Sequence, residues 1–162
     1  RGATGWAGGG SGNEPRVGRV VTRRGEPTGG PRAHDGNLQV LGCAAEQRYS
    51  KLHDFNPSHG RMPCGPRILT FFLYLSDVEE GGETAFPDLK PPLAVKPRKG
   101  PAILWPSVRA DDYTQADWRT KHEARPVARG TKIAANAWVH AHDFRHAKQW
   151  GCTGPEHDSG FS

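Results

Sequence analysis

The sequence contains few cysteines and lacks any long hydrophobic run. Its three cysteines, Cys43, Cys64 and Cys152, are too few for a disulfide framework and lack the paired short spacings of a zinc site. No run of about 18 apolar residues occurs, so we expect no membrane segment in this chain, and no signal peptide is visible. The apolar spacing typical of helices is nearly absent, which argues against a helical bundle.

The chain is basic, with a formal net charge of +5 and an isoelectric point near 9.4. Its Lys and Arg residues are scattered along the sequence rather than collected into one block. A basic surface in contact with water explains this distribution better than a nucleic-acid site does. We therefore expect no nucleic-acid partner, and a nucleic-acid binder is the weakest of three hypotheses for the function.

The length of 162 residues suits one domain with a single core. Residues 1–36 are rich in glycine and carry few apolar side chains, so we expect this segment to be irregular. The pattern changes at Asn37, where strand-like runs begin. We expect a folded domain over residues 37–154 and a short C-terminal tail over residues 155–162.

Several short apolar runs bounded by Gly and Pro predict β-strands rather than helices. The segment 68–75 is apolar on both faces, which is typical of a strand buried on both sides. The predicted strands are 38–41, 49–55, 68–75, 102–105 and 131–140, with a loop at 56–60. Short strands with Gly and Pro turns favour an all-β sandwich or jelly roll, the double-stranded β-helix, with few or no helices.

Three residues suit a non-haem iron site, which needs two imidazoles and one carboxylate on one side of the metal. The candidates are His53, Asp54 and His122. In the jelly-roll arrangement a His and the carboxylate come from one strand, and the second His comes from a distant strand. Lys132 follows His122 on a predicted strand. Because a buried cation needs an anion, Lys132 could hold the carboxylate of a dicarboxylic co-substrate.

Four blocks of the sequence resemble the catalytic domain of the prolyl 4-hydroxylases in the same order. They are Leu73-Tyr74-Leu75-Ser76-Asp77-Val78-Glu79-Glu80-Gly81-Gly82-Glu83-Thr84-Ala85-Phe86-Pro87, Pro97-Arg98-Lys99-Gly100-Pro101-Ala102, His122-Glu123-Ala124-Arg125-Pro126-Val127 with Gly130-Thr131-Lys132, and Ala135-Asn136-Ala137-Trp138-Val139-His140. No single block carries the resemblance, which covers roughly residues 37–154.

The resemblance implies an iron(II)- and 2-oxoglutarate-dependent dioxygenase that hydroxylates peptidyl proline, with L-ascorbate as the reductant of the iron. It implies that His122 is the distal iron ligand, that Lys132 binds 2-oxoglutarate and that Thr84 lines the co-substrate pocket. It places Tyr49, Arg67 and Trp138 at positions that face the peptide. The partner is then a proline-containing peptide or protein. The family also suggests the secretory pathway, in the lumen of the endoplasmic reticulum or Golgi.

The first metal-ligand position departs from the family motif of Tyr, two residues, His, one residue and Asp. With Tyr49 as the Tyr, the carboxylate falls on Asp54, but the His position is Leu52 and the imidazole stands one place later, at His53. In a regular strand Leu52 and Asp54 would share the pocket face and His53 would point away. A β-bulge could instead turn His53 toward the metal.

This departure leaves a second hypothesis open beside the enzyme. The chain could be a catalytically impaired jelly-roll module that keeps the peptide groove after losing a metal ligand. Two upstream positions also differ from the family, because Cys43 stands where a Tyr usually touches 2-oxoglutarate and Ala45 replaces a glycine. We predict the dioxygenase as the leading function, with His53, Asp54 and His122 as the metal ligands.

Overall fold

A computed structural model of the chain describes residues 3–7, 32–43, 49–144 and 146. Within these residues the chain forms β-strands and three short 3-10 turns, with no α-helix. The strands are β1 (Ala3–Ala7), β2 (Leu38–Cys43), β3 (Tyr49–Leu52), β4 (Arg67–Tyr74), β5 (Glu80–Gly81), β6 (Thr84–Phe86), β7 (Leu93–Val95), β8 (Ala102–Pro106), β9 (His122–Ala124), β10 (Val127–Arg129) and β11 (Lys132–His140). The prediction of an all-β jelly roll with few or no helices is confirmed.

The larger sheet has five antiparallel strands in the order β1-β2-β11-β4-β8. Strand β11 lies at its centre and pairs with β2 on one side and β4 on the other. Every residue of β11 except Ile133 is buried, as its apolar sequence predicts. Alternate side chains of a strand share a face, so Lys132, Ala134 and Asn136 point the same way into the protein.

The smaller sheet has four strands in the order β3-β9-β6-β7, and β5 and β10 form a separate two-stranded sheet. Phe86 of the smaller sheet packs edge-on against Trp105 of the larger one, with ring centroids 5.2 Å apart. Phe72, Tyr74 and Ala134 complete this buried cluster. The two sheets therefore enclose a core rich in aromatic side chains, and the pocket described below opens from it.

The structure corrects two details of the predicted strands. The segment 49–55 is strand only as far as Leu52, because the backbone N–H of Phe55 donates to Nδ1 of His53 at 2.9 Å and closes a turn. Strand β1 lies inside the 1–36 segment that was expected to be irregular, and it is formed by pairing along β2. Such pairing is a tertiary effect that local composition does not reveal.

The remaining parts of the domain prediction stay predictions. Residues 8–31 and the predicted tail, 155–162, lie outside the described residues, as do Ala45 and Cys152. Among the residues that are described, no helix has the length and apolar character needed to cross a membrane.

Candidate active site

The carboxylate of Asp54 is buried at the mouth of the aromatic core, with 5% of the residue exposed. Its Oδ2 accepts a hydrogen bond from the Thr70 hydroxyl at 2.6 Å and another from Nε1–H of Trp105 at 3.1 Å. Thr70 and Trp105 are paired across β4 and β8, so the larger sheet presents both donors from one face. These two bonds fix the orientation of the carboxylate.

The imidazole of His122 lies beside this carboxylate at the start of β9. Its Nδ1–H donates to the carbonyl of Thr120 at 3.0 Å, which leaves a lone pair on Nε2. That Nε2 lies 3.6 Å from Oδ2 of Asp54, too far for a direct hydrogen bond. Bonds of roughly 2.0 to 2.2 Å from one metal ion could span this separation. Asp54 and His122 are thus oriented as two ligands of one ion.

The structure does not bring His53 into this pair. Nδ1 of His53 accepts from the N–H of Phe55, and Nε2–H donates to the carbonyl of Asp117, both at 2.9 Å. Burial lowers the pKa of His53, which favours the neutral ring that these two bonds require. Because both ring nitrogens are used, His53 has no lone pair directed at Asp54 and His122 in this structure, and its role as an iron ligand stays a prediction.

Leu52 takes the place that a third ligand would need. Its side chain lines the same pocket as Asp54 and His122, and its residue pairs directly with His122 across β3 and β9. The pairing of β3 with β9 does shift in register, but the shift lies between Tyr49 and Leu52. It therefore precedes His53 and Asp54 in the chain. Leu52 and Asp54 therefore share the pocket, as expected for the case in which His53 points away.

Lys132 lies in the pocket wall at the start of β11, and only 3% of the residue is exposed. Its Nζ donates to the carbonyl of Gly82 at 2.7 Å and to Oγ1 of Thr84 at 3.3 Å. Burial lowers the pKa of Lys132 to about 8. Gly82 has a φ of 72°, a conformation that side-chain-bearing residues rarely adopt, and this turn directs its carbonyl at the ammonium.

Thr84, in β6, is also fixed in the pocket wall by hydrogen bonds. Its Oγ1 accepts a hydrogen bond from the hydroxyl of Tyr74 at 2.8 Å as well as the contact from Lys132. With both acceptor positions used, the Thr84 hydroxyl proton remains for a ligand. The predicted residues Asp54, His122, Lys132 and Thr84 therefore meet in one pocket, with an ammonium and a hydroxyl that together suit a carboxylate.

Cys43 pairs with Lys132 across β2 and β11 and lines the same pocket. Burial raises the pKa of its thiol, so it stays neutral at ordinary pH. Where the family has a Tyr hydroxyl, this pocket has a small and weakly polar group. Lys132 and Thr84 are left to provide the strong donors.

The residues predicted to face the peptide are placed differently. The guanidinium of Arg67 stacks 3.6 Å from the centre of the Trp138 ring, and both residues are buried. Neither belongs to the pocket wall, so the structure does not bring them together with Lys132. Burial lowers the pKa of Arg67 to about 10. Tyr49 lies in β3, but its side chain is outside the described part of the structure.

Sequence reasoning missed the residues that hold the site in place. Thr70 and Trp105 orient Asp54, and Tyr74 orients Thr84. Asn136 also lines the pocket, and its Oδ1 has no hydrogen-bond partner among the described residues. The alternation of Thr70, Phe72 and Tyr74 along one strand could have placed them on the pocket face. No local signal could have shown which group each one binds.

The donor set meets the needs of iron only in part. Within the described residues, no group of three or more His, Cys, Asp or Glu side chains is placed to hold a metal ion. Asp54 and His122 fit two ligand positions in both chemistry and spacing. The third position of the two-His, one-carboxylate arrangement is not met, because the side chain of Leu52 has no donor atom.

Comparison with known proteins shows the family of the chain. The family model described as "2OG-Fe(II) oxygenase superfamily" matches residues 38–140. The chain is 36% identical over 137 residues to the probable prolyl 4-hydroxylase 3 of Arabidopsis thaliana. This match covers 71% of this chain and 46% of that protein. It is 35% identical over 131 residues to the prolyl 4-hydroxylase subunit alpha-2 of Gallus gallus, covering 79% of this chain and 24% of that protein.

Solved structures give the same result for the fold. The viral collagen prolyl hydroxylase from Paramecium Bursaria Chlorella virus-1, in its 2OG complex, superposes with a TM-score of 0.73 at 27% identity. The match covers 86% of this chain and 79% of that one. The chain spans less than half the length of the plant and animal relatives named above.

Replacing His53 separates its structural role from metal binding. We expect His53→Ala to lower the free energy of unfolding by roughly 1 to 3 kcal/mol, because the carbonyl of Asp117 and the N–H of Phe55 lose their partner. Affinity for Mn(II), measured calorimetrically in the folded variant, should change by less than about twofold, whereas His122→Ala should abolish binding. A loss of Mn(II) affinity in His53→Ala comparable with that in His122→Ala would show that His53 is a ligand after all.

The low pKa of Lys132 predicts how co-substrate binding depends on pH. Lys132 loses its charge as the pH rises through about 8, and a bound carboxylate favours the charged form. With Mn(II) present, the dissociation constant of 2-oxoglutarate should be flat near pH 7 and rise by up to about tenfold per pH unit above pH 8. Lys132→Arg keeps its charge and should lose this slope. A dissociation constant equal at about pH 7 and about pH 9.5 in the parent would contradict the assignment.

Proposed function

Because this chain belongs to the 2OG-Fe(II) oxygenase superfamily, we propose that it is the catalytic domain of a prolyl 4-hydroxylase. Its reaction is the iron(II)- and 2-oxoglutarate-dependent hydroxylation of proline in a peptide or protein. The observation that carries the proposal is one pocket that contains both the Asp54–His122 pair and a buried lysine. The names of the relatives supply the choice of proline as the residue acted on.

The lysine end of the pocket suits the distal carboxylate of 2-oxoglutarate. A buried ammonium costs free energy unless it is paired, and the hydrogen bonds that Lys132 makes within the described residues go to neutral oxygens, those of Gly82 and Thr84. An incoming carboxylate would supply the missing negative charge and accept the Thr84 hydroxyl proton. Fixing this end of a five-carbon diacid directs its 2-oxo acid end along the pocket toward Asp54 and His122.

The other end of the pocket suits the metal through two residues. Asp54 would supply a carboxylate oxygen and His122 its Nε2, each already oriented by hydrogen bonds. When bound, the iron supplies the oxidative chemistry, with ascorbate as its reductant. The chain's own residues bind and orient the co-substrate and fix the two ligands.

Aromatic side chains around the ligand pair keep water away from the reaction. The rings of Trp105 and Phe86 lie with their centroids 4.8 Å and 5.8 Å from that of His122. Phe72 and Leu52 also line the pocket. A dry wall strengthens every electrostatic contact made to the co-substrate and protects reactive species from side reactions.

Three residues are proposed to contact the peptide. Tyr49, Arg67 and Trp138 match positions that face the peptide in the family, and we keep them as proposed contacts. The stacked pair of Arg67 and Trp138 is buried in this structure.

The activity is tested with the folded chain, Fe(II), 2-oxoglutarate, ascorbate and two peptides, a Pro-Pro-Gly repeat and polyproline. We expect succinate and hydroxyproline in equal amounts with at least one peptide. Lys132→Ala should lower kcat/KM for 2-oxoglutarate by about 100-fold or more, since losing one partner of a buried pair costs about 3 to 5 kcal/mol.

The matched control is Lys51→Ala, which removes an exposed ammonium paired with Asp88. This variant should stay within about twofold of the parent, because surface ion pairs contribute little. If the folded parent binds Mn(II) and 2-oxoglutarate but releases no succinate with either peptide, the proposed activity is contradicted, and measured binding of either peptide would then favour the non-catalytic peptide-binding module.

A further inference from the structure

The proposed metal site has an apolar side chain where the family places its first His. Leu52 pairs with His122 across β3 and β9 and lines the pocket beside Asp54. Its methyl groups have no lone pair to offer a metal. Among the His, Cys, Asp and Glu side chains of the described residues, one oxygen of Asp54 and one nitrogen of His122 therefore converge on the place where the ion would sit, without a third.

The neighbouring imidazole does not replace the missing donor. To reach the pocket, His53 would have to break its hydrogen bonds to Asp117 and Phe55, each 2.9 Å long. Its ring also packs against Trp118, with centroids 5.0 Å apart. The turn that follows β3 thus holds His53 on the far side of the strand.

The other carboxylate and the thiol in the pocket wall are also unsuitable. Glu123 follows His122 directly in β9, so alternation directs its side chain to the opposite face of the strand. Cys43 belongs to the lysine end of the pocket, opposite Lys132. Among the described residues, no group of three His, Cys, Asp or Glu side chains is placed around one ion.

From this arrangement, and resting on the proposed function, we infer that Leu52 makes metal retention depend on the co-substrate. First-row divalent ions are retained by the number and geometry of their ligands. A 2-oxo acid brings two more donors, its 2-oxo oxygen and an adjacent carboxylate oxygen. The metal is therefore held weakly by the protein alone and firmly once 2-oxoglutarate is bound.

Reciprocity makes this inference quantitative. If 2-oxoglutarate raises the affinity for the metal by some factor, the metal must raise the affinity for 2-oxoglutarate by the same factor. Lys132 gives the co-substrate an anchor that needs no metal, so 2-oxoglutarate should bind detectably by itself. Four binding constants can then be measured separately: Mn(II) with and without 2-oxoglutarate, and 2-oxoglutarate with and without Mn(II). Their free energies must sum to zero around the thermodynamic cycle.

The experiment is calorimetric titration of Mn(II) into the folded chain without air, with and without saturating 2-oxoglutarate. Glutarate is the matched control ligand, because it keeps both carboxylates and lacks the 2-oxo group. We expect 2-oxoglutarate to raise Mn(II) affinity by at least about 30-fold and glutarate by less than about fivefold. A rise below about threefold with 2-oxoglutarate, or an equal rise with glutarate, would overturn the inference.

Leu52→His provides the second arm. Loss of groups that merely orient a metal ligand changes metal affinity by about 10- to 100-fold. A new ligand at position 52 should therefore raise Mn(II) affinity without co-substrate by at least about tenfold. It should also reduce the factor by which 2-oxoglutarate raises Mn(II) affinity. Leu104→His, at an exposed position of β8, controls for an added imidazole elsewhere. A Leu52→His variant that folds and leaves both quantities unchanged would also contradict the inference.

The outcome is distinguishable from that of the proposed function, because neither arm requires turnover. A large rise in Mn(II) affinity with 2-oxoglutarate, but no succinate release, would support the inference and contradict the proposed activity. Succinate release without such a rise would support the activity and contradict the inference. The parent measurements need no variant, so a Leu52→His chain that fails to fold does not prevent the test.

Discussion

The site depends on a carboxylate placed inside an aromatic core. A charge in such surroundings is tolerated only when its oxygens are hydrogen-bonded. Thr70 and Trp105 meet this requirement for Asp54, and they come from two strands of the larger sheet. The same contacts attach the turn after β3 to that sheet. This attachment fixes Asp54 beside Leu52 in the pocket and 3.6 Å from Nε2 of His122.

A second buried charge lies in the pocket wall. Lys132 begins the central strand and is surrounded by oxygens without full charge, which is why burial controls its pKa. The two charges are not partners of each other in an ion pair. Each could be satisfied by a ligand instead, a metal cation at Asp54 and an anion at Lys132, and the proposed metal ion and its chelating diacid would supply one each. We therefore propose that the pocket takes two ligands that bind together.

Long strands could be predicted from the sequence because β2, β4, β8 and β11 carry runs of apolar residues between Gly and Pro turns. Strands of two or three residues, such as β5 and β9, carry no period that a pattern can detect. That His122, Lys132 and Thr84 share one pocket with Asp54 could be predicted, because the family blocks fix the spacing of the first three and the motif that starts at Tyr49 fixes Asp54. His53 could not be placed, because its direction depends on hydrogen bonds with a distant loop and with the turn that follows it. Trp138 is a buried residue stacked on Arg67. Its burial depends on tertiary packing, which the local sequence does not reveal.

The central claim is that the pocket binds its metal through Asp54 and His122 without His53. A crystal structure of the chain with Mn(II) and 2-oxoglutarate tests it most directly. The account predicts one ion within about 2.0 to 2.2 Å of an Asp54 oxygen and of His122 Nε2. It also predicts a diacid carboxylate on Lys132 and His53 still bonded to the carbonyl of Asp117. A structure in which His53 leaves that carbonyl and ligates the ion, or in which the diacid avoids Lys132, would contradict it.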